Sequence, residues 1–254
     1  MEELNTGVNW KWAGPFLWIT VHYDHQFTRV GPEETEIGFV LDTEGVGVFG
    51  RLFVAIYARN LDRAIPNLVS TDTPRSGMKL SLTPQLAGGV LGGTVNFLKP
   101  DLELILYVPR TRRTAFGMRA EGAMIIPYGS TEKLPPYQRF FLGGETQIRG
   151  VPVQKVGPIV DNVFVGGNKY VLLNAEYYFD IGGPLRALLF FDAGQAFLEG
   201  DKIDLRSLRT STGAELRFLM PVLNVPFRLI YAFNPNRDQF QKKSTFKFAV
   251  GTTF

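Results

Sequence analysis

The side chains able to carry covalent or metal chemistry are few and badly spaced for it. The only histidines, His22 and His25, flank Asp24 in Thr20-Val21-His22-Tyr23-Asp24-His25. A separation of three on a strand points them to opposite faces, so they cannot share one metal ion or one substrate atom. A barrel phospholipase would need a serine nucleophile beside a histidine and an orienting amide, and no His-x-Ser-Asn-like arrangement occurs. Cysteine is absent, which removes thiolate nucleophiles, thiolate metal sites and disulfides together. Gly88-Gly89 and Gly92-Gly93 are not followed by Lys-Ser/Thr or by a helix-like segment, so they mark a hairpin end or a strand bend rather than a phosphate loop. Glu33, Glu34 and Glu36 fall in a proline-initiated turn and read as a solvated loop. No catalytic set, cofactor site or metal site is expected, and the chain reads as a non-enzyme. Arg110, Arg112 and Arg113 form the densest basic cluster, on a short turn, where they suit anionic lipid headgroups. The remaining Lys and Arg are spread along a chain of formal charge only +3, so a nucleic-acid partner is not expected.

What must position these residues is a set of strands. The chain has no run of 18 or more apolar residues, and stretches such as Ala187–Phe191 are far too short for a transmembrane helix. Gly and Pro recur at short intervals, with Phe-, Val-, Leu- and Tyr-rich segments between them. From Thr245 to Phe254, one face reads Phe246, Phe248, Val250, Thr252 and Phe254, and the other Thr245, Lys247, Ala249, Gly251 and Thr253. Phe227, Leu229, Tyr231 and Phe233 alternate in the same way with Arg228, Ile230 and Ala232, and Ala214, Leu216 and Phe218 with Gly213, Glu215 and Arg217. Three successive strands therefore place charge on a common face. Further strands are predicted at 185–198, 168–181, 113–127, 97–109, 77–90, 47–60, 33–43, 15–28 and 4–12.

The total is about twelve antiparallel strands, within a range of about ten to sixteen, each long enough to cross a bilayer at the usual tilt. A mean hydropathy of +0.01 resembles that of a soluble protein. A membrane barrel reaches the same average, because its apolar outside offsets its polar inside. A soluble β-sandwich would have shorter strands, and a lipocalin-like barrel would not place aromatic-rich faces opposite Lys247, Arg228, Arg217 and Glu215. The expectation is one all-β transmembrane barrel domain over 1–254, with Phe254 as a terminal insertion signal on the apolar face. Glu2 and Glu3 follow Met1 with no basic or apolar leader region, so the chain reads as a mature or truncated form.

One stretch does not fit an up-and-down barrel. From about Pro127 to Gly166 runs a connection of roughly 40 residues, far longer than a hairpin loop, and structureless loops of such length are usually functional. It contains Arg139-Phe140-Phe141-Leu142-Gly143-Gly144-Glu145-Thr146-Gln147-Ile148-Arg149-Gly150. The Phe-Phe-Leu-Gly-Gly run followed by Ile-Arg-Gly resembles the signature of the BamA/TamA superfamily of outer-membrane assembly factors and two-partner-secretion transporters. Asn60-Leu61-Asp62, Thr73 to Leu80, Leu106 to Pro109, Asn174-Ala175-Glu176-Tyr177 and Phe190-Phe191-Asp192-Ala193-Gly194 extend the likeness over about Val46 to Phe254.

The resemblance implies that the long loop folds back into the barrel lumen and that its tip arginine, Arg149, is held by acids on the inner wall, Glu176 and Asp192. Strand parity agrees, since Glu176 alternates with Ala175 and Tyr177 and Asp192 follows Phe191. A guanidinium in such a place takes bidentate carboxylate partners well. Gly143, Gly144 and Gly150 would allow tight turns at the tip. The alternative is an exposed arginine on an extracellular loop. Two departures stand out. Val151-Pro152 follows Arg-Gly where the family usually has an aromatic residue, and the length before the aligned region leaves room for neither POTRA domains nor about four of the family's strands.

The expected setting is the outer membrane of a Gram-negative bacterium. The expected partners are outer-membrane lipid and client outer-membrane or secreted proteins, in membrane biogenesis or protein or lipid transport. A loop-gated passive pore is the alternative, and a lipid-modifying enzyme the least favoured reading.

Overall fold

The computed structural model describes residues 3–13, 17–28, 47–61, 77–89, 95–131, 134–220 and 225–251. These are mostly strand, and the helical content among them includes two 3-10 turns, Pro136–Gln138 and Leu205–Ser207. The chain divides into two compact units: Met1–Tyr57 with Ser81–Asp101 and Met124–Pro135, and Ala58–Leu80 with Leu102–Ala123 and Pro136–Phe254.

In the first unit, β1 (Glu3–Ala13) and β2 (Leu17–Thr28) form an antiparallel hairpin in register from Glu3↔Thr28 to Ala13↔Trp18. The hydrogen-bonded order continues through β3 (Gly47–Leu61), β4 (Gly77–Ala87) and β5 (Phe97–Pro109). The short β7 (Ile126–Pro127) pairs back onto the start of β5, Phe97 opposite Pro127. The side chain of Asn96 ties this end together, accepting from Gly89 N at 2.7 Å, while its backbone N–H donates to Thr131 Oγ1 at 2.7 Å.

In the second unit the order is β5, β6 (Thr114–Met124), β10 (Lys169–Gly182), β11 (Leu185–Phe197), β12 (Arg209–Met220), β13 (Val225–Phe233) and β14 (Ser244–Val250). The pairings of β10 with β11, β11 with β12, β12 with β13 and β13 with β14 are antiparallel, with Glu176 opposite Phe190, Leu188 opposite Glu215 and Ile230 opposite Lys247. Among the described residues β14 has only β13 as a hydrogen-bonded neighbour.

Successive side chains of a strand point to opposite faces, and the two faces differ sharply. Leu173, Phe179, Leu189, Phe191, Leu216, Phe218, Leu229, Tyr231, Phe233, Phe246, Phe248 and Val250 are all exposed, while Asn174, Glu176, Asp192, Glu215, Arg217 and Arg228 are buried. A water-soluble protein rarely turns so large a contiguous apolar surface outward. The arrangement is that of a sheet with one apolar, outward face and one charged, buried face.

Several boundaries differ from the sequence expectation. The segment 113–127 is divided at Ile125, since β6 ends at Met124 and β7 is separate. The last strand spans Ser244–Val250, and Gly251 leaves it at φ +107°. The segment 33–43 and Phe254 lie outside the described residues. The long connection is not structureless. It contains the hairpin β8 (Ile159–Val160) and β9 (Val163–Phe164), and Phe140 exchanges two 2.8 Å backbone bonds with Gly167. Leu142 does the same with Val156 at 3.1 and 3.0 Å. Backbone groups that leave the main sheet must find partners elsewhere, and these bonds supply some of them locally.

The loop tip and its charged seat

The tip of the long loop is shaped by glycines. Gly143, Gly144 and Gly150 have φ of +120°, +97° and +83°, in the left-handed region where side chains are strained. Space matters as well: a Cβ on Gly150 would lie 2.5 Å from Ala232 Cβ, and one on Gly143 2.3 Å from Pro152 O. Beyond the tip, Ile148, Val151, Leu142 and Val156 are buried in one cluster with Ala123 of β6, Tyr170 and Leu172 of β10 and Ala196 of β11. Phe140 packs at its margin, its ring 4.7 Å from that of Tyr170. Val151, standing where an aromatic residue was the family expectation, is thus an apolar core residue of the seat. Gly194 permits the close approach, because a Cβ there would sit 3.1 Å from Ile148 Cδ1 and 3.2 Å from Leu142 Cδ1.

Arg149 is fully buried. Its Nε and Nη2 donate to the two oxygens of Asp192 at 2.8 and 2.6 Å, and its backbone N–H donates to Asp192 Oδ2 at 3.0 Å. From the other edge of the guanidinium, Nη1 donates to Glu176 Oε1 at 2.5 Å and to Glu215 Oε2 at 3.1 Å. The face of the group lies 3.8 Å above the ring centroid of Phe190. Gly213 leaves room for that ring, since a Cβ there would come within 2.9 Å of Phe190 Cζ. Burial works against the positive charge of Arg149, and Asp192 and Glu176 more than offset it, so the pKa is raised above the ordinary arginine value.

Asp192, Glu176 and Arg149 are thus brought together, and the seat is larger than those three. Glu215 accepts from Arg228 Nε and Arg217 Nε, both at 2.6 Å, while Arg217 Nη2 also donates to Glu176 at 2.9 Å. Tyr178 donates its hydroxyl to Glu176. Three guanidinium groups and three carboxylates therefore balance one another on the inner face of β10 to β13. A buried charge is tolerated when it is paired and its remaining donors are satisfied. Glu215, Arg217 and Arg228 were visible in sequence only as charges on one face; nothing local tied them to Arg149.

The tip is also held by its backbone. The carbonyl of Glu145 accepts from Arg228 Nη2 at 3.1 Å, that of Thr146 from Arg119 Nη1 at 3.4 Å and that of Gln147 from Asn174 Nδ2 at 2.6 Å. Gly150 O accepts from Asn234 Nδ2 at 3.1 Å and Thr245 Oγ1 at 3.3 Å, and Val151 O from Lys247 Nζ at 3.4 Å. Donors on β6, β10, β13 and β14 thus converge on one turn. A Gly150→Val change is expected to unseat it: the left-handed backbone alone costs about 1–2 kcal/mol, and the clash with Ala232 adds to that. Limited proteolysis should then cut between Arg139 and Val156, where the parent protein resists. A resistant variant would show that the tip has other room.

The arrangement offers no nucleophile with a base beside it, and among the described residues no group of His, Cys, Asp or Glu could hold a metal ion. What the charges do is fix the loop tip to the strands through paired, buried ion bonds.

A family model described as the Omp85 superfamily domain matches residues 69–254. The chain is 26% identical over 192 residues to an outer membrane protein assembly factor BamA of Nitratidesulfovibrio vulgaris, covering 73% of this chain and 24% of that protein. It is 30% identical over 225 residues to a sorting and assembly machinery component 50 homolog of Mus musculus, covering 82% of this chain and 46% of that one. Among solved structures, the crystal structure of BamA from Haemophilus ducreyi lacking POTRA domains 1-3 matches with a TM-score of 0.69 at 17% identity, over 92% of this chain and 51% of that chain. The chain therefore spans between about a quarter and a half of the length of these curated relatives.

Proposed function

This chain belongs to the Omp85 superfamily, and from that membership we propose that it is an integral β-barrel of a bacterial outer membrane that promotes the assembly of other outer-membrane proteins. The long loop, 127–166, is its internal device, lying in the lumen with Arg149 as the anchor. The observation that carries this reading is the balanced seat of Arg149, Arg217 and Arg228 with Glu176, Asp192 and Glu215. Six charged side chains drawn from the loop and four strands fix one loop position. A barrel serving only as an open conduit has no use for so demanding a plug. The assembly role rests on the named relatives, the outer membrane protein assembly factor among them. Its clients are unfolded outer-membrane chains and its surroundings outer-membrane lipid.

The test is reconstitution. Vesicles carrying the protein should speed the folding of an added, unfolded outer-membrane barrel, read as its shift to a heat-modifiable, protease-resistant band. Folding no faster than in empty vesicles would remove the assembly role. A planar-bilayer recording separates the passive-pore reading. The parent protein should give small or rare openings, and deletion of residues 140–155 larger ones, because little aqueous cross-section remains in a lumen filled by the loop. Large steady conductance in the parent protein would instead favour a pore.

A further inference from the structure

The turn between β5 and β6 carries three arginines in four positions: Arg110, Arg112 and Arg113, all exposed. The turn itself is well formed. Arg110 N and Thr111 N both donate to Thr114 O, at 2.9 and 3.1 Å, and Arg113 N donates to Thr111 Oγ1 at 3.2 Å. The backbone therefore holds the three guanidinium groups together without using them.

Their depth follows from the neighbouring strand. Asp180 N of β10 donates to Arg113 O at 2.8 Å, which sets the turn level with the end of β10. From Val171 onward the outward side chains of β10 are Val171, Leu173, Ala175, Tyr177, Phe179 and Ile181, with no charged residue among them. At about 3.3 Å per residue and a tilt near 40°, the stretch from Val171 to Ile181 rises through about 25 Å, the height of the apolar band of a membrane barrel. Exposed Val108 and Phe116 close the same band on β5 and β6. The arginines thus begin where the hydrocarbon-facing surface stops, at headgroup depth.

Among the described residues no carboxylate forms an ion pair with any of the three, and the neighbouring acid, Asp180, is taken by Arg186 Nε at 2.7 Å. The next turn along the rim, between β10 and β11, is Gly183-Pro184 and adds no charge.

We propose that Arg110, Arg112 and Arg113 form a binding site for the phosphate headgroup of an anionic phospholipid, at the short-turn rim of the membrane-facing wall. Planar guanidinium groups take phosphate oxygens bidentately, and three of them on one turn can engage one headgroup or two adjacent ones. The site gives the barrel a lipid preference on one leaflet and sets its vertical position. It rests on the membrane-spanning reading of the strands and is independent of the assembly role.

The test uses the full chain reconstituted in mixed phosphatidylcholine–phosphatidylglycerol vesicles, with spin-labelled lipid of either kind reporting the motionally restricted fraction. The parent protein should favour phosphatidylglycerol, by up to about fivefold for each guanidinium that contacts a headgroup. The R110Q/R112Q/R113Q variant should lose that preference while keeping its heat-modifiable mobility, and the preference should weaken with salt. Equal preference in parent and variant, or none in the parent, overturns the proposal. A loss caused by inorganic phosphate but not by sodium chloride of equal ionic strength overturns the lipid assignment in favour of free phosphate. A parent chain that does not enter these vesicles overturns the membrane reading, and the site with it.

Discussion

Replacing Arg149 with alanine is expected to lower stability by roughly 3–5 kcal/mol, the usual cost of stranding buried charges. Its guanidinium meets Asp192 through two side-chain bonds and Glu176 and Glu215 through a third nitrogen. With it gone, three carboxylates face two guanidinium groups in a region shut off from water. Lysine should rescue little, because a point charge cannot bond both oxygens of Asp192 while also reaching the two glutamates. A charge-balanced double change, Arg149→Met with Asp192→Leu, leaves Glu176 and Glu215 with Arg217 and Arg228, and should recover part of the loss. The measurement is the temperature at which the heat-modifiable band converts, together with protease cutting in the loop. An unchanged midpoint in the alanine variant would mean that water reaches the seat and the network is worth little.

The second large effect lies on the outer face. Phe191 is 48% exposed at the middle of β11, next in sequence to the buried Asp192. In water, an exposed phenylalanine can become arginine at a cost within about 0.5 kcal/mol. At the midplane of a bilayer the same change costs about 2–4 kcal/mol. Phe191→Arg should therefore reduce the yield of folded protein in vesicles and lower its midpoint, whereas a charge placed at Val108, at the band's edge, should cost about 0–1 kcal/mol. Tolerance at both positions would contradict the assignment of this face to lipid.

The alternation along β10 to β14 was legible without coordinates because the pleat of a strand is local: adjacent side chains diverge whatever the strand pairs with. Hence Phe246, Phe248 and Val250 could be assigned to one face and Lys247 and Ala249 to the other, and Glu215 could be set beside Arg217 and Arg228. The all-β class followed from the same pattern. The motif residues were likewise visible, since Ile148-Arg149-Gly150 and Phe190-Phe191-Asp192-Ala193-Gly194 resemble a known signature.

Register and the internal pairing of the loop were not legible, because both depend on residues distant in sequence. Parity says that Glu215 faces inward. Only the pairing of Leu188 with Glu215 and of Glu215 with Ile230 puts it within 3.1 Å of a guanidinium 66 positions away. The ordered ladder of the loop was missed because its bonds join positions such as Phe140 and Gly167, too far apart for any local period to reveal. The balance of three arginines against three acids belongs to tertiary structure for the same reason. Each charge is costly alone in a dry interior, so the group is stable only when the strands and the loop bring all six to one place.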